Sequence, residues 1–313
     1  MPRPHLALVL AIAASIAVTL FSGSIDAYLL DVAMGVGINI ILAVSLNLVN
    51  GHTGQFSLGH AGFMAVGAYL SSAVTLNLGP RLLGEDGGAA WSQGGLFALA
   101  LVIGGLCAAF AGLLIGIPSL RLKGDYLALV TLGFGEIIRV IFQNVESLGG
   151  ALGLIGMPAY TTFAWTYGCV ALTIFTVGCL VNSTYGCGFR ATHDDEIAAE
   201  SVGLDTTRYK IVAFVIGAFF AGIAGGLFAH FKLTIDPRGF DFTRSIEIVV
   251  MVILGGMGNT VGVILAAILL TILPEALRQV SEYRMIIYSL LLISLMMLRP
   301  NGLFNFKFGS RRP

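Results

Sequence analysis

From Leu6 to Leu298 the chain is a succession of apolar runs, each about 20 residues long, separated by short polar stretches. A soluble core has no room for so many of them. Of 313 residues, 57% are hydrophobic and 11% charged, where soluble domains carry about 25% charged residues. A bilayer accepts such runs only if each satisfies its own backbone hydrogen bonds, which means helix. The expected fold is therefore all-α: a polytopic transmembrane helical bundle of about 8–10 spans with broken or re-entrant segments. The loops are too short for a soluble domain, so residues 1–313 read as one membrane domain. The 41 glycines suit closely packed helices. A net charge of zero offers no basic field for nucleic acid.

The spans read as Leu6–Phe21, Ala27–Val49, Ala61–Leu78, Gly94–Ile117 (stopped by Pro118), Tyr126–Asn144, Phe163–Val181, Ile211–Phe231 and Tyr283–Leu298. Arg3 ahead of an apolar core resembles a secretory signal, but the many spans that follow favour a retained first helix. Gly79–Gln93 and Glu146–Thr162 read as loops. Two places interrupt the apolar pattern. One is Asn50–His60; the other is Gly255, Gly256, Gly258 and Asn259 within Ser245–Leu273. Irregular backbone at membrane depth survives only where protein or a water-filled cavity satisfies it, and such breaks often line transport routes. Basic residues gather at Arg3, Arg121 and Lys123, in Arg190–Lys210, and in the tail at Arg299, Lys307, Arg311 and Arg312. All can face the cytoplasm with eight full crossings if Ser245–Leu273 re-enters; ten shorter or tilted crossings are the alternative.

Self-contained chemistry is missing from the sequence. None of the four lysines follows a glycine, so no phosphate-binding G-x-x-x-x-G-K-[ST] loop can be written. There is no H-E-x-x-H, and His52 and His60 lack a third ligand, so no metal site is expected. Cys107, Cys169, Cys179 and Cys187 form no C-x-x-C pair and read as packing residues. An integral-membrane enzyme using Glu136, His52 and His60 would lack a recognisable nucleophile or metal set. No catalytic residue is assigned.

Arg190–Lys210 stands apart: eight charged residues in 21 positions, between two spans. Asp194–Val202 contains good helix formers with acidic residues at its start, where the helix dipole favours them. Thr192 is a candidate N-cap and Gly203 a candidate terminator. Ala198 and Ala199 form a small-residue face flanked by Glu196 and Glu200. Such a helix suits a groove in another protein, with its carboxylates toward basic partners.

This segment resembles the cytoplasmic coupling motif of permeases of ATP-binding-cassette importers, E-A-A-x-x-x-G. Here Ala198, Ala199 and Gly203 match, Ile197 stands in the glutamate's place, and Glu196 is one position earlier. Asn39–Ser71, Arg121–Arg139, Asp195–Leu227 and Val249–Gly262 extend the likeness over nearly the whole chain, which resembles the branched-chain amino acid permease family of LivM type. The resemblance implies a multi-pass permease of the bacterial inner membrane. It also implies a second homologous permease (LivH type), two ATP-binding subunits and a periplasmic or extracytoplasmic substrate-binding protein. The chain itself would bind no cofactor, ATP being used by the partner subunits. Glu196, Ala198, Ala199, Glu200 and Gly203 would be the ATPase-coupling residues. Urea and short-amide permeases share these blocks. An ATPase-independent channel or carrier is a further alternative, and it would not need the Thr192–Gly203 helix.

Asn39, Asn47 and Asn50 fall roughly on one face of the second span. With Gln55, Ser57, His60 and Glu136 they are the candidate pathway residues, the other reading being hydrogen bonds that hold the bundle together. Arg139 is one turn from Glu136 and placed to pair with it. Arg244 and Glu247 repeat that spacing. The G-x-x-x-G pairs Gly112/Gly116, Gly222/Gly226 and Gly258/Gly262 read as packing sites.

Overall fold

A computed structural model describes residues 4–20, 26–83, 90–120, 122, 124–280, 283–298 and 302. The helices in chain order are α1 (Pro4–Leu20), α2 (Ala27–Asn47), α3 (His60–Leu83), α4 (Ala90–Ser119), α5 (Asp125–Asn144) and α6 (Phe163–Val181). They continue with α7 (Thr184–Asp194), α8 (Glu196–Ser201), α9 (Thr206–Lys232), α10 (Phe242–Gly255), α11 (Thr260–Ala276) and α12 (Arg284–Leu298). Two short strands, β1 (Leu154–Ile155) and β2 (Thr234–Ile235), pair antiparallel. Among the described residues five helices are long and apolar enough to cross a membrane, and α11 is a shorter apolar helix. The molecule is a polytopic helical bundle, as the apolar runs require. Arg3, Arg121, Lys123 and the basic tail from Arg299 lie outside the described residues.

α6 begins and ends where the apolar run does. α4 instead runs to Ser119, so Pro118 lies inside its last turn rather than beyond it. A proline there removes one terminal hydrogen bond, a smaller loss than in mid-helix. α3 extends to Leu83, into the stretch expected as a loop. The Glu146–Thr162 segment is not bare loop either: it carries β1, clasped to β2 just after α9.

α3, α4 and α9 form the tight centre. A Cβ added to Gly67 would meet the backbone of Gly222, and one added to Gly104 would lie 2.8 Å from the Gly67 carbonyl oxygen. Close approach of this kind needs residues without side chains, which is how membrane helices gain dispersion contact when lipid offers no hydrophobic drive.

α2 ends irregularly. After Asn47 the chain makes one π-helical turn, Leu48–His52, then an irregular loop to Gly59 before α3 begins. α10 and α11 form a hairpin. Gly256 and Gly258 take positive φ (90° and 81°), and the Asn259 side chain caps α11 by accepting from the Gly262 N–H at 3.2 Å. Both open ends of the hairpin reach one residue of α2. Arg244 Nη2 donates to Asn39 Oδ1 at 2.7 Å, and Asn39 Nδ2 donates to Thr271 Oγ1 at 2.9 Å. The tip meets α2 eight residues later, where the Gly258 N–H donates to Asn47 Oδ1 at 2.9 Å. The hairpin therefore returns to the side it came from, as expected for the broken Ser245–Leu273 run.

Candidate functional site

α7 and α8 occupy one end of the bundle. Asp195 separates them and caps α8, its Oδ1 accepting from the N–H groups of Ile197 and Ala198 at 3.0 Å each. The other end closes with a Schellman motif: the Gly203 N–H reaches the Glu200 carbonyl at 3.0 Å, and the Leu204 N–H reaches Ala199 at 3.1 Å. Gly203 has φ 88°, a conformation glycine adopts without strain. Gly203 terminates the helix as expected. Thr192 does not start it: it lies inside α7, where its hydroxyl donates to the Gly188 carbonyl at 2.9 Å. Asp195 takes the cap because the backbone breaks there, with φ −158° and ψ 105°.

Both carboxylates of α8 have a partner at the start of α9. Glu196 Oε1 lies 2.7 Å from Lys210 Nζ, and the Lys210 side chain is only 2% exposed. Glu200 Oε1 accepts from Thr206 Oγ1 at 2.7 Å. Both contacts fasten α8 to the first turns of α9. Ala199 is buried beneath the helix. The exposed surface includes Ala198, with Ile197 and Val202 at 73% and 77%, beside the polar Glu200 and Ser201.

A polar junction forms where α2 breaks. Asn50 clasps Ser57, its Oδ1 accepting from the Ser57 N–H at 3.2 Å and its Nδ2 donating to the Ser57 carbonyl at 3.4 Å. Gln55 Nε2 donates to the Thr53 carbonyl at 3.2 Å, and the Gln55 N–H reaches the Val49 carbonyl at 3.1 Å. Ser45 Oγ and His60 Nε2 are 2.9 Å apart, both buried. Neighbouring helices hold the loop: Thr131 Oγ1 of α5 accepts from the Leu58 N–H at 3.0 Å, and Ser245 Oγ of α10 accepts from the Ala61 N–H at 3.2 Å. Gly51 abuts Gly258 so closely that a Cβ would strike the Gly258 backbone and the Asn47 carboxamide. Asn47 Nδ2 and His52 Nε2 are buried without a hydrogen-bond partner among the described residues.

Asn39 lies apart from this junction, eight residues before Asn47 on α2. Asn50 sits in the π turn after Asn47, with its side chain bonded to the Ser57 backbone. Glu136 pairs with Arg139 along α5 at 2.7 Å. Gly54, with φ 69°, links the junction to α7, for a Cβ there would come 2.9 Å from His193 Cδ2.

The sequence pattern of the family described as "Branched-chain amino acid transport system / permease component" matches residues 28–298. The chain belongs to this permease family. It is 37% identical to the high-affinity branched-chain amino acid transport system permease protein LivM of Escherichia coli K12, across 87% of this chain and 69% of that protein. A probable LivM of Methanocaldococcus jannaschii is 27% identical across 79% of this chain and 80% of its own. The LivH permease protein of E. coli K12 is 26% identical across 84% and 90%. No solved structure matches.

In this permease the structure brings together Asn47, Asn50, Gln55, Ser57 and His60 with Gly255, Gly256, Gly258 and Asn259 at one junction between α2, α3 and the hairpin. Asn39 falls outside it, bonded to Arg244 and Thr271, and Glu136 is paired with Arg139 on α5. Sequence reading missed Thr131 and Ser245, ordinary helix residues until the fold sets them beside the loop. It also missed His193 as the neighbour of Gly54. The density of charge around His193 and the glycine at position 54 were the only hints.

Proposed function

We propose that this multi-pass permease imports branched-chain amino acids across the bacterial inner membrane as one of two homologous membrane subunits. Two separate ATP-binding subunits drive it, and a substrate-binding protein outside the membrane delivers the amino acid. The reading of the substrate rests on the names of its relatives.

The observation that carries the coupling role is the form of α8. A six-residue helix is marginal alone. This one is capped at both ends and tied down by its own carboxylates, which leaves Ile197, Ala198 and Val202 free to enter an apolar groove. On this reading the ATPases grip α8, and its displacement passes through α7 and the His193–Gly54 contact to the junction at the end of α2. The hairpin tip moves with that junction because Gly258 is bonded to Asn47. Asn47, Asn50, Gln55, Ser57 and His60 then belong to the moving part of the pathway. Glu196 and Glu200 act by holding α8 rigid.

The test is co-purification and transport. Tagged permease from native membranes is expected to bring down ATPase subunits and a second permease. The reconstituted assembly is expected to take up leucine only with ATP and the binding protein. Isolation of the permease without any ATPase would defeat the proposal.

A further inference from the structure

At the end of the bundle opposite α8, the open mouth of the α10–α11 hairpin borders a cavity of about 160 Å³ against α2 and α9. The distance from α8 is large, because α9 has 27 residues and spans roughly 40 Å between Thr206 beside α8 and Lys232 at the cavity. If α8 faces the ATPases, the cavity faces the side from which substrate arrives. The inference rests on that orientation.

Charges of both signs line this cavity beside apolar groups. Arg244 is held by Asn39 at 2.7 Å and Glu247 at 2.8 Å. A guanidinium carries five N–H donors, and these two bonds leave the others without a protein acceptor among the described residues. On the facing helix, Glu275 Oε2 accepts from Tyr28 Oη at 2.7 Å, which leaves its second oxygen without a donor among the described residues. Glu275 lies four residues beyond Thr271, which shares Asn39 with Arg244, so the carboxylate stands about 6 Å farther out. Ile38 and Phe228 supply apolar wall between them.

We propose that this vestibule takes a free zwitterionic amino acid with a small aliphatic side chain. Arg244 receives the α-carboxylate, Glu275 the α-ammonium, and the side chain lies against Ile38 and Phe228. A planar guanidinium fork suits a carboxylate better than a lysine does. The cavity is well below the size that takes drug-like ligands, about 300–1,000 Å³. It therefore fits one amino acid and not a peptide. The ion pair between Asp31 and Lys232, 3.3 Å apart at the rim, can open toward either end of the same ligand.

The experiment uses the complete transporter, with both permeases and both ATPases, in lipid nanodiscs without the binding protein. The probe is L-leucine, followed by saturation-transfer NMR. Two analogues test the recognition of both charges: 4-methylpentanoate, which lacks the ammonium, and 3-methylbutylamine, which lacks the carboxylate. Leucine is expected to bind, and each analogue to bind roughly tenfold more weakly, the value of one charge-assisted hydrogen bond. Arg244→Gln and Glu275→Gln should each weaken leucine to a similar degree. Arg244 also holds the hairpin, so failure of that variant to assemble leaves Glu275→Gln as the deciding one; its amide oxygen can still accept from Tyr28. Equal binding of leucine by wild type and Glu275→Gln, or equal binding of leucine and its two analogues, overturns the vestibule. Leucine uptake by the wild-type assembly, measured in parallel, separates the two readings. Uptake without charge-dependent binding removes only the vestibule, whereas absent uptake removes the proposed function beneath it.

Discussion

Lys210 and Glu196 meet across the turn between α8 and α9, Nζ to Oε1 at 2.7 Å, with the lysine side chain 2% exposed and the glutamate 22%. The unequal burial makes the pair asymmetric. Removing the glutamate leaves a buried ammonium with no counter-charge; removing the lysine leaves a carboxylate that still reaches water. Glu196→Ala is expected to cost about 3 kcal/mol. Lys210→Met, which keeps the apolar stem, should cost about 1 kcal/mol or less. Thermal unfolding of the detergent-solubilised protein measures both. Equal losses would show that the lysine head is hydrated.

Ile197 and Val202 are large apolar side chains left 73% and 77% exposed. Ile197→Asp and Val202→Asp should each reduce ATPase co-purification by about tenfold or more. Stability should stay within about 0.5 kcal/mol of wild type. Glu200→Lys is expected to act differently: loss of the Thr206 bond frees α8, so ATP hydrolysis continues while uptake falls. Pull-down yield, ATPase rate and uptake distinguish the two patterns. Unchanged uptake in Glu200→Lys sinks the role given to that carboxylate.

Gly51→Ala should be among the most damaging methyl additions in the chain. The new methyl would collide with the Gly258 backbone, which cannot rotate away, and with the Asn47 side chain, which could move only by giving up its bond to the Gly258 N–H. A loss of about 1–3 kcal/mol is expected. Gly168, on α6, has nothing within 4 Å of an added Cβ. Gly168→Ala is the matched control, expected to be neutral or slightly stabilising because alanine is the better helix former. Folded yield on gel filtration, with thermal midpoints, reads the contrast.

Asn50→Ala removes both bonds to Ser57. About 2 kcal/mol of local stability should go with them. Because the bonds close a loop and join no two helices, the global unfolding midpoint should move less than amide exchange in residues 53–59. Hydrogen exchange resolved by peptide checks this. Protection unchanged there would mean that Thr131 and Ser245 alone hold the loop.

Much of the fold is legible in the sequence because lipid imposes a simple rule: apolar and about 20 residues long means helix. α6 follows the run from Phe163 to Val181 without adjustment, and the glycines at 255, 256 and 258 mark the hairpin tip. The Glu136–Arg139 pair follows from helical spacing alone. The junction was half legible. Its polar and glycine residues announce a break, but the form of that break, a π turn over Leu48–His52, leaves no mark in composition. The partners of Glu196 and Glu200 were illegible for a related reason. Lys210 and Thr206 are close by in the sequence, yet whether they meet α8 depends on how sharply the chain turns after Gly203. Thr192 shows the limit of cap rules, since threonine serves equally well inside a helix when a carbonyl one turn back accepts its hydroxyl.

The grip of α2 on the hairpin at two levels also sets an order of synthesis. Asn39 and Asn47 precede their partners Arg244, Gly258 and Thr271 by 205 to 232 residues. At bacterial elongation rates that gap lasts on the order of 10–45 s. Through that interval two carboxamides wait at membrane depth, where an unsatisfied polar group costs several kcal/mol. α2 must therefore be sheltered from lipid, beside the insertion machinery or an early neighbour, until the hairpin is made and closes over it.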